Sequence, residues 1–406
     1  MNSEQLFAFA LNLQTPWFIT RIHLDSHSIY TGELHIYIDF TVGSLFEVDG
    51  QPAQTAYDTS ERVWQHLNFF QHKCFLHARV PRVKDANGKP KVVSVPWARS
   101  GSGFTLLFES YAMLLIESEM PISKVGCLLK VYPNRIWGIF KYWIGKAHRQ
   151  DSVGEVKKIG IAETSSKKGH NYVTVTVDLD QRRVIFATPG KDASTIAKTA
   201  SYLEEKGVAP EKIEQVCMDM SPSFISGVMN AFPSASVTFD KFHVVQEVNK
   251  AMDELRKMEA KEASDLKGTK YTFLINPQKL SAIQQIHRDL LLDIYPNLGT
   301  GYRLKTLFNE FWDMESSDEA GAFLAYWCDL ATESKIQPFV KVANMIKAHW
   351  SGIINYIKSQ LNNGILEGIN SKIHLAKKRA RGYRDIDNFI NMIYYTCGKL
   401  KFDYPH

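Results

Sequence analysis

From Glu33 the chain reads ELHIYIDFTV, with apolar and polar positions alternating, and this predicts a half-buried β-strand. HKCFLHARVPRV and KPKVVSVPWA predict two more, joined through the turn residues Asp85-Ala86-Asn87-Gly88. Residues 1–30 mix the two classes and predict a short helix followed by a lead-in, so residues 30–100 read as a small β-rich module. The period then lengthens from two to about 3.6. SGSGFTLLFESYAMLLIESEM, PISKVGCLLKV and YPNRIWGIFKYWIGKAHRQ predict three helices with tight turns, the second opening on a proline that suits a first helical turn. Residues 104–150 thus fit a helix-turn-helix unit whose last helix would enter a major groove, and equally a plain three-helix connector.

Residues 155–245 change character again. EVKKIGIAET, NYVTVTVDLD and RRVIFATPG predict three consecutive strands, the last two joined at Asp180-Gln181. DASTIAKTASYLEEKG predicts a helix with a capping acid and a closing glycine. EKIEQVCMDM predicts a fourth strand, SPSFISGVMNAF a helix capped by Ser221 with Pro222 first, and SASVTFD a fifth strand. Three antiparallel strands followed by alternating helix and parallel strand is the order of an α/β, ribonuclease-H-like (retroviral-integrase-like) core. From Phe242 to about Gln360 the pattern is almost wholly helical, a long insertion interrupted by LKGTKYTFLINP, which reads as a short extended segment. Trp312, Trp327 and Trp350 stand among Leu, Phe and Ile at helical spacing, which suits a core.

The last strongly patterned stretch is Asn362–Arg384, NNGILEGINSKIHLAKKRARGYR, which follows an Asn-Asn-Gly turn. On a helix from about Ile365, Leu366, Ile369, Ile373, Ala376 and Ala380 form an apolar stripe. Glu367, Asn370, Ser371, His374, Lys377, Lys378 and Arg381 share the other side. One carboxylate at the head of a row of cations suits metal-dependent chemistry on a phosphate backbone, and it also describes a solvated basic face.

Composition narrows these choices. The 406 residues are 45% hydrophobic and 12% aromatic, so the chain is globular and long enough for several domains. A net charge of +5 is mild, and a nucleic-acid surface must come from clustered cations. No apolar run is long enough to span a membrane, and MNSEQLFAFALNLQTPW lacks the marks of a secretory signal. The five scattered cysteines form no CxxC pair, which predicts a reducing compartment, cytoplasmic, without disulfides or cysteine-based zinc. His66, His72 and His77 lie near Cys74, but their spacing matches no standard zinc pattern and suits ordinary strand residues.

In a ribonuclease-H-like core, acids at the ends of the first and fourth strands meet at the carboxyl edge of the sheet, and a third acid comes from a later helix. Such a set can hold two Mg²⁺ ions for phosphodiester displacement. The fourth strand supplies Asp219, which could also be a turn acid, and the later helix supplies Glu367. The first strand has Ala162 at the corresponding place. Glu163 is adjacent but points to the opposite face, and could substitute only through a bulge.

GIAETSSKKGHNYVTVTVDLD, VCMDMSPSFISGVMNAFPSASVTFDKFHVV and NNGILEGINSKIHLAKKRARGYRD resemble the DDE-type transposases of bacterial insertion sequences, in the ISL-three branch. The likeness extends to YDTSERVWQHLNFFQHKCFLHARVPRV and VPWARSGSGFTLLFE, nearly the whole chain. In that family the first block usually reads G-I-D-E, and its aspartate is the first metal ligand. Here Ala162 occupies that position, and the second and third ligands carry over to Asp219 and Glu367. Glu163, Asp240 and His243 are implied as near-site residues. The family's N-terminal zinc ribbon has no cysteines in the matching stretches Phe46–Gln51 and Lys84–Gly88, so no zinc is expected.

The resemblance implies an enzyme that binds transposon terminal inverted repeats in double-stranded DNA, cleaves the strands with Mg²⁺ or Mn²⁺, and joins them to target DNA. It implies a homodimer, nucleoid DNA as the site of action, and DNA contacts from Trp97, Arg99, Arg135, Lys141, Lys372, Lys377, Lys378, Arg379, Arg381 and Arg384. The implied division is a β-rich DNA-binding module (1–103), a helix-turn-helix (104–150), a core in two parts (151–245 and 361–406) and a helical insertion (246–360). With Ala162 in place, this form is expected to be inactive. The intactness of the other blocks favours replacement of one aspartate over general decay, and the alternative is a domesticated DNA-binding protein.

Overall fold

The computed structural model describes residues 2–26, 31–167, 171–359 and 364–404 and comprises two units, Met1–Ala147 with Lys401–His406, and His148–Leu400. The first unit opens with α1 (Ser3–Ala10) and continues through β1 (Trp17–Ser26), β2 (Gly32–Phe40), β3 (Leu45–Phe46), β4 (Gln54–Thr55), β5 (Asp58–Phe69), β6 (His72–Lys84) and β7 (Pro90–Val92). Its main sheet has the order β1-β2-β6-β5, with β7 beside β6. One face buries Trp17, Leu34, Ile36, Ile38, Trp64, Leu76 and Trp97.

The lead-in expected before Glu33 is in fact strand β1. Its register slips between Ile19 and Arg21, so the apolar phase flips midway and the alternation is lost to simple reading. The expected third strand, KPKVVSVPWA, shrinks to the short β7, and the long β5 takes its place as an edge. In β5 only Trp64 and Gln65 are buried, which leaves almost no periodic signal. Three helices follow: α2 (Leu106–Glu117), α3 (Ile122–Leu128) and α4 (Pro133–Gln150). Residues 401–404, expected with the catalytic part, belong to the first unit instead. Tyr404 packs edge-on against Trp143 and hydrogen-bonds the Glu117 carboxylate, and Asp403 pairs with Lys146 at 2.9 Å.

The second unit is built on β8 (Lys158–Lys167), β9 (Asn171–Asp178), β10 (Arg183–Pro189), α5 (Ala193–Glu205), β11 (Gln215–Met218), α6 (Pro222–Ala231) and β12 (Ser236–Phe239). The sheet order is β10-β9-β8-β11-β12, with β8, β9 and β10 antiparallel and β11 parallel to both β8 and β12. The turn into β10 is organised by Asp178, whose carboxylate accepts from the amides of Asp180 and Gln181. Threonines 174 and 176 of β9 meet Thr195 and Thr199, one turn apart on α5, at 3.1 and 3.0 Å. That fixes one sheet face toward α5.

The helical part comprises α7 (Lys241–Glu259), α8 (Lys270–Leu274), α9 (Ala282–Ile294), α10 (Pro296–Glu310), α11 (Ser317–Glu333), α12 (Gln337–Ala348) and α13 (Trp350–Ser359). The segment LKGTKYTFLINP is not extended: it holds α8, with Phe273 drawing it into the core. Trp312 and Trp327 are buried as expected, and Trp350 is half-buried against the same core. α13 covers the free edge of β12, where Asn355 donates to the Val237 carbonyl at 2.9 Å. Last come α14 (Gly364–Arg379), beside β8, and α15 (Ile386–Cys397), beside β10. The Asn362-Asn363 turn lies outside the described residues.

Gly352 of α13 gives a direct test of this packing, because a Cβ there would overlap the Phe239 ring of β12. Gly352→Ala should cost about 1–3 kcal/mol by overpacking, lowering the melting midpoint by several degrees in a thermal unfolding scan. An unchanged midpoint would contradict the tight seat of α13 on β12.

Candidate active site

The site is set by strand register. Along the parallel pair, Gln215 lies opposite Lys158, Val216 opposite Ile159 and Cys217 opposite Gly160. Ala162 lies two residues beyond the last of these pairs on β8, and Asp219 two residues beyond it on the other chain segment, in the loop just past the end of β11. The face is identified by Gly160: a Cβ there would lie 2.6 Å from a methyl of Leu366. Gly160 and Ala162 therefore point toward α14, whereas Ile159, Ile161 and Glu163 point the other way. The antiparallel register through Ala162↔Val175 and Glu163↔Thr174 is regular, and no bulge turns Glu163 round.

α14 runs beside β8 in the same sense. Leu366 sits against Gly160 near one end, and Lys377 donates to the Ser165 carbonyl at 2.7 Å near the other. At roughly 1.5 Å per helical residue and 3.3 Å per strand residue, both spans come to about 16 Å, which makes the two contacts mutually consistent. Glu367, exposed in the first turn, thereby belongs to the end of α14 that lies near Gly160 and Ala162. Leu366, Ile369 and Ile373 are buried, while Ala376 and Ala380 are half-buried.

Asp219 folds back into an Asx turn, its Oδ1 accepting from the Ser221 amide at 3.0 Å. Ser221 does precede α6, but its hydroxyl bonds Ser223 rather than capping the helix. Asp240 is the N-cap of α7, accepting from the Phe242 amide at 2.7 Å, and its other oxygen lies 2.9 Å from His243 Nδ1. That bond and the charges of Asp240 and Asp219 raise the His243 pKa above its ordinary 6.5, against the effect of burial. Burial, with the nearby charge of Asp219, raises the Glu163 pKa, while Lys191 and His243 oppose the rise. Glu163, Asp219, Lys191 and the Asp240–His243 pair thus share one electrostatic neighbourhood.

Lys191 and Thr164 escape the sequence reading, whereas Asn370 is placed by it on the polar side of the helix with Glu367. Lys191, its ammonium 4.0 Å from the Tyr172 ring centroid, was signalled only by a cation just before the capping Asp192. Thr164 Oγ1, the next same-face position after Ala162, and Asn370 Oδ1, one turn beyond Glu367, are both buried with no partner among the described residues. A threonine in a strand carries no distinguishing pattern.

The expected DNA contacts divide. Trp97 is 8% exposed, packed edge-on against Trp17 and Trp64. Arg99 is held at 2.9 Å by the buried Glu109 and stacks on Tyr142. Both are internal supports, which corrects their assignment as DNA contacts. Arg135 is exposed, its guanidinium over the Phe104 ring, and Lys141 is half-buried on the same helix, α4. On α14, Lys372, Lys378 and Arg379 are exposed, whereas Lys377 is tied to Ser165. The helix ends at Arg379, and Arg381, with a φ of 56°, begins the reversal toward the exposed Arg384.

The donor set decides what the edge can hold. Asp219 and Glu367 offer oxygens suited to a hard divalent cation, but a methyl group occupies the third place. No group of three or more His, Cys, Asp or Glu residues able to hold a metal occurs among the described residues. The residues present do not complete a three-carboxylate set.

Comparison with known proteins agrees with this architecture. Residues 159–393 match a family model described as a transposase of the ISL3 type, and residues 93–144 match the helix-turn-helix domain of transposase family ISL3. The transposase for insertion sequence element IS1557 of Mycobacterium tuberculosis is 28% identical over 353 residues, 80% of this chain and 78% of that relative. The transposase for element IS1001 of Bordetella parapertussis is 25% identical over 356 residues, 85% of this chain and 86% of the relative.

Residues 49–84 also match a model described as the zinc-finger of transposases IS204, IS1001, IS1096 and IS1165, which bears on the expectation of no zinc. The stretch contains one cysteine, Cys74, whose thiol burial pushes up to about 12. His66 bonds Thr105 at 2.8 Å, and His77 lies 2.8 Å from His35. These residues do not fit a zinc ribbon, which needs four convergent thiolate or imidazole ligands.

The Asp240–His243 pair yields a pH test. A raised histidine pKa contributes stability that is complete below the unfolded value and is lost as pH rises through the folded one. His243 should titrate above 6.5 by NMR, and Asp240→Asn, which keeps an N-cap acceptor, should bring it down. A His243 titration unmoved by that change would contradict the pairing.

Proposed function

Because the chain belongs to the ISL3 family of transposases, we propose that it is a DDE-type DNA transposase on a ribonuclease-H-like core, and that Ala162 abolishes strand cleavage in this form. The observation that carries the reading is the pairing of Cys217 with Gly160, two residues before Asp219 and Ala162, on a strand packed against Leu366 of the helix that holds Glu367. The mixed sheet, three antiparallel strands then two parallel ones, supports the ribonuclease-H-like assignment. Residues 1–103 and the helix-turn-helix at 104–150 bind the terminal inverted repeats as double-stranded DNA. The core is formed by 151–245 and by 361 to Leu400, and 246–360 is the helical insertion.

The transposase reaction hydrolyses the 3′ ends of the element and joins them to target DNA, with water as the first nucleophile and the freed 3′-hydroxyl as the second. With an aspartate at position 162, that residue, Asp219 and Glu367 would be the three carboxylates to hold Mg²⁺ or Mn²⁺, whose chemistry there would be to activate an attacking oxygen and stabilise a leaving one. In this chain the remaining residues bind and orient. Lys372, Lys378, Arg379, Arg381 and Arg384 face the phosphates, with Arg135 and Lys141 on the DNA-reading helix. Lys377 holds α14 to β8, and Asp240 fixes His243 beside the scissile strand. Two copies act together on the two ends, on nucleoid DNA in the bacterial cytoplasm.

Ala162 itself is the direct support for a second reading, a domesticated DNA-binding protein that keeps the fold without the chemistry. One experiment addresses both. The chain and its Ala162→Asp variant should bind the element's own ends equally in a gel shift, and only the variant should cleave, by roughly 100-fold or more over the parent. A variant that binds those ends and stays inert would show that position 162 is not the first ligand. Equal cleavage by the parent would overturn the inactivity.

A further inference from the structure

α9 carries an apolar stripe that the fold leaves uncovered. Ile283 is 81% exposed, Ile286 71%, Leu290 56% and Ile294 52%, and the exposed His287 lies among them. Their spacing of three, four and four residues places all four on one side of the helix. The other side is firmly seated. Leu291 is buried, Gln285 donates to the Leu280 carbonyl at 3.0 Å, and Arg288 lies over the Tyr302 ring of α10. A capping box at Ser281 and Gln284 fixes the start of the helix. The stripe is therefore a presented surface on an anchored helix, and not a frayed end.

We infer that this stripe is an isologous interface on which α9 of a second copy packs antiparallel about a two-fold axis. The stripe matches its own reversal. An axis near Arg288 sets Ile283 opposite the partner's Ile294 and Ile286 opposite the partner's Leu290, so each apolar side chain meets another. A two-fold interface requires this kind of self-complementarity, and an unrelated partner does not. The area also fits. Four aliphatic side chains exposed to this degree offer roughly 400 Å², and doubling this and adding the polar flanks of α9 approaches the roughly 1,200 Å² of a small specific interface. The interface stands whether or not the sheet edge is catalytic.

Sedimentation velocity of the full chain without DNA tests it. The chain should be dimeric at tens of micromolar, and the double variant Ile286→Asp, Leu290→Asp should raise the dimer dissociation constant by roughly tenfold or more. Both side chains are exposed on the single chain, so the far-UV circular dichroism should not change, while the melting midpoint should lose its dependence on protein concentration. Geometry is read by cysteine pairing in a Cys127→Ser background, which removes the exposed native thiol. Mixing Ile286→Cys chains with Leu290→Cys chains should give more cross-linked dimer than either alone. A monomeric chain, a double variant that dimerises like the parent, or preferential pairing of Ile286→Cys with itself would each overturn the interface.

Discussion

The candidate site depends on one close approach, the Leu366 side chain lying in the space that any Cβ at position 160 would occupy. A larger residue there would lift α14 from β8 and carry Glu367 away from the strand ends. Gly160 also sits opposite Cys217, the last printed step of the parallel register before Asp219 and Ala162. One glycine thus links a sequence-distant helix to two strands. The bond from Lys377 to Ser165 then fixes the helix at its far end. With both ends held, the direction of the acidic first turn is set by packing and not by charge.

Much of the second unit was legible because its elements are short, buried on both faces and separated by strong caps and turns. Asp178, Asp192 and Asp240 each take up backbone amides where the pattern changes. The first unit was harder to read. β1 hides behind a bulge, and β5 is an edge strand recruited by its long antiparallel pairing with β6, with little apolar pattern of its own. The position of Ala162 could be named from the family block, but which side of the sheet it faces required the register. Trp97 and Arg99 show the limit of carrying roles over by block, since neither residue type reveals in sequence that a tryptophan is core or that an arginine neutralises a buried acid.

The zinc-finger match and the missing ligands can be understood together. A zinc ribbon is held by its metal because so small a unit buries little apolar surface. Here the matched residues form β5 and β6 of a larger sheet, whose packed face includes three tryptophans and a row of aliphatic side chains. Cys74 has become part of that face. Apolar burial can thus stabilise this module without the metal.

The central claim is that the sheet edge retains two of three carboxylates and lacks the third at position 162. Titration of Mn²⁺ into the chain and into its Ala162→Asp variant, followed by calorimetry without DNA, tests it most directly. The account predicts binding roughly 10–100-fold tighter in the variant, and loss of that gain when Asp219→Asn is added. Equal Mn²⁺ affinity in the two proteins, or a gain that survives Asp219→Asn, would contradict it.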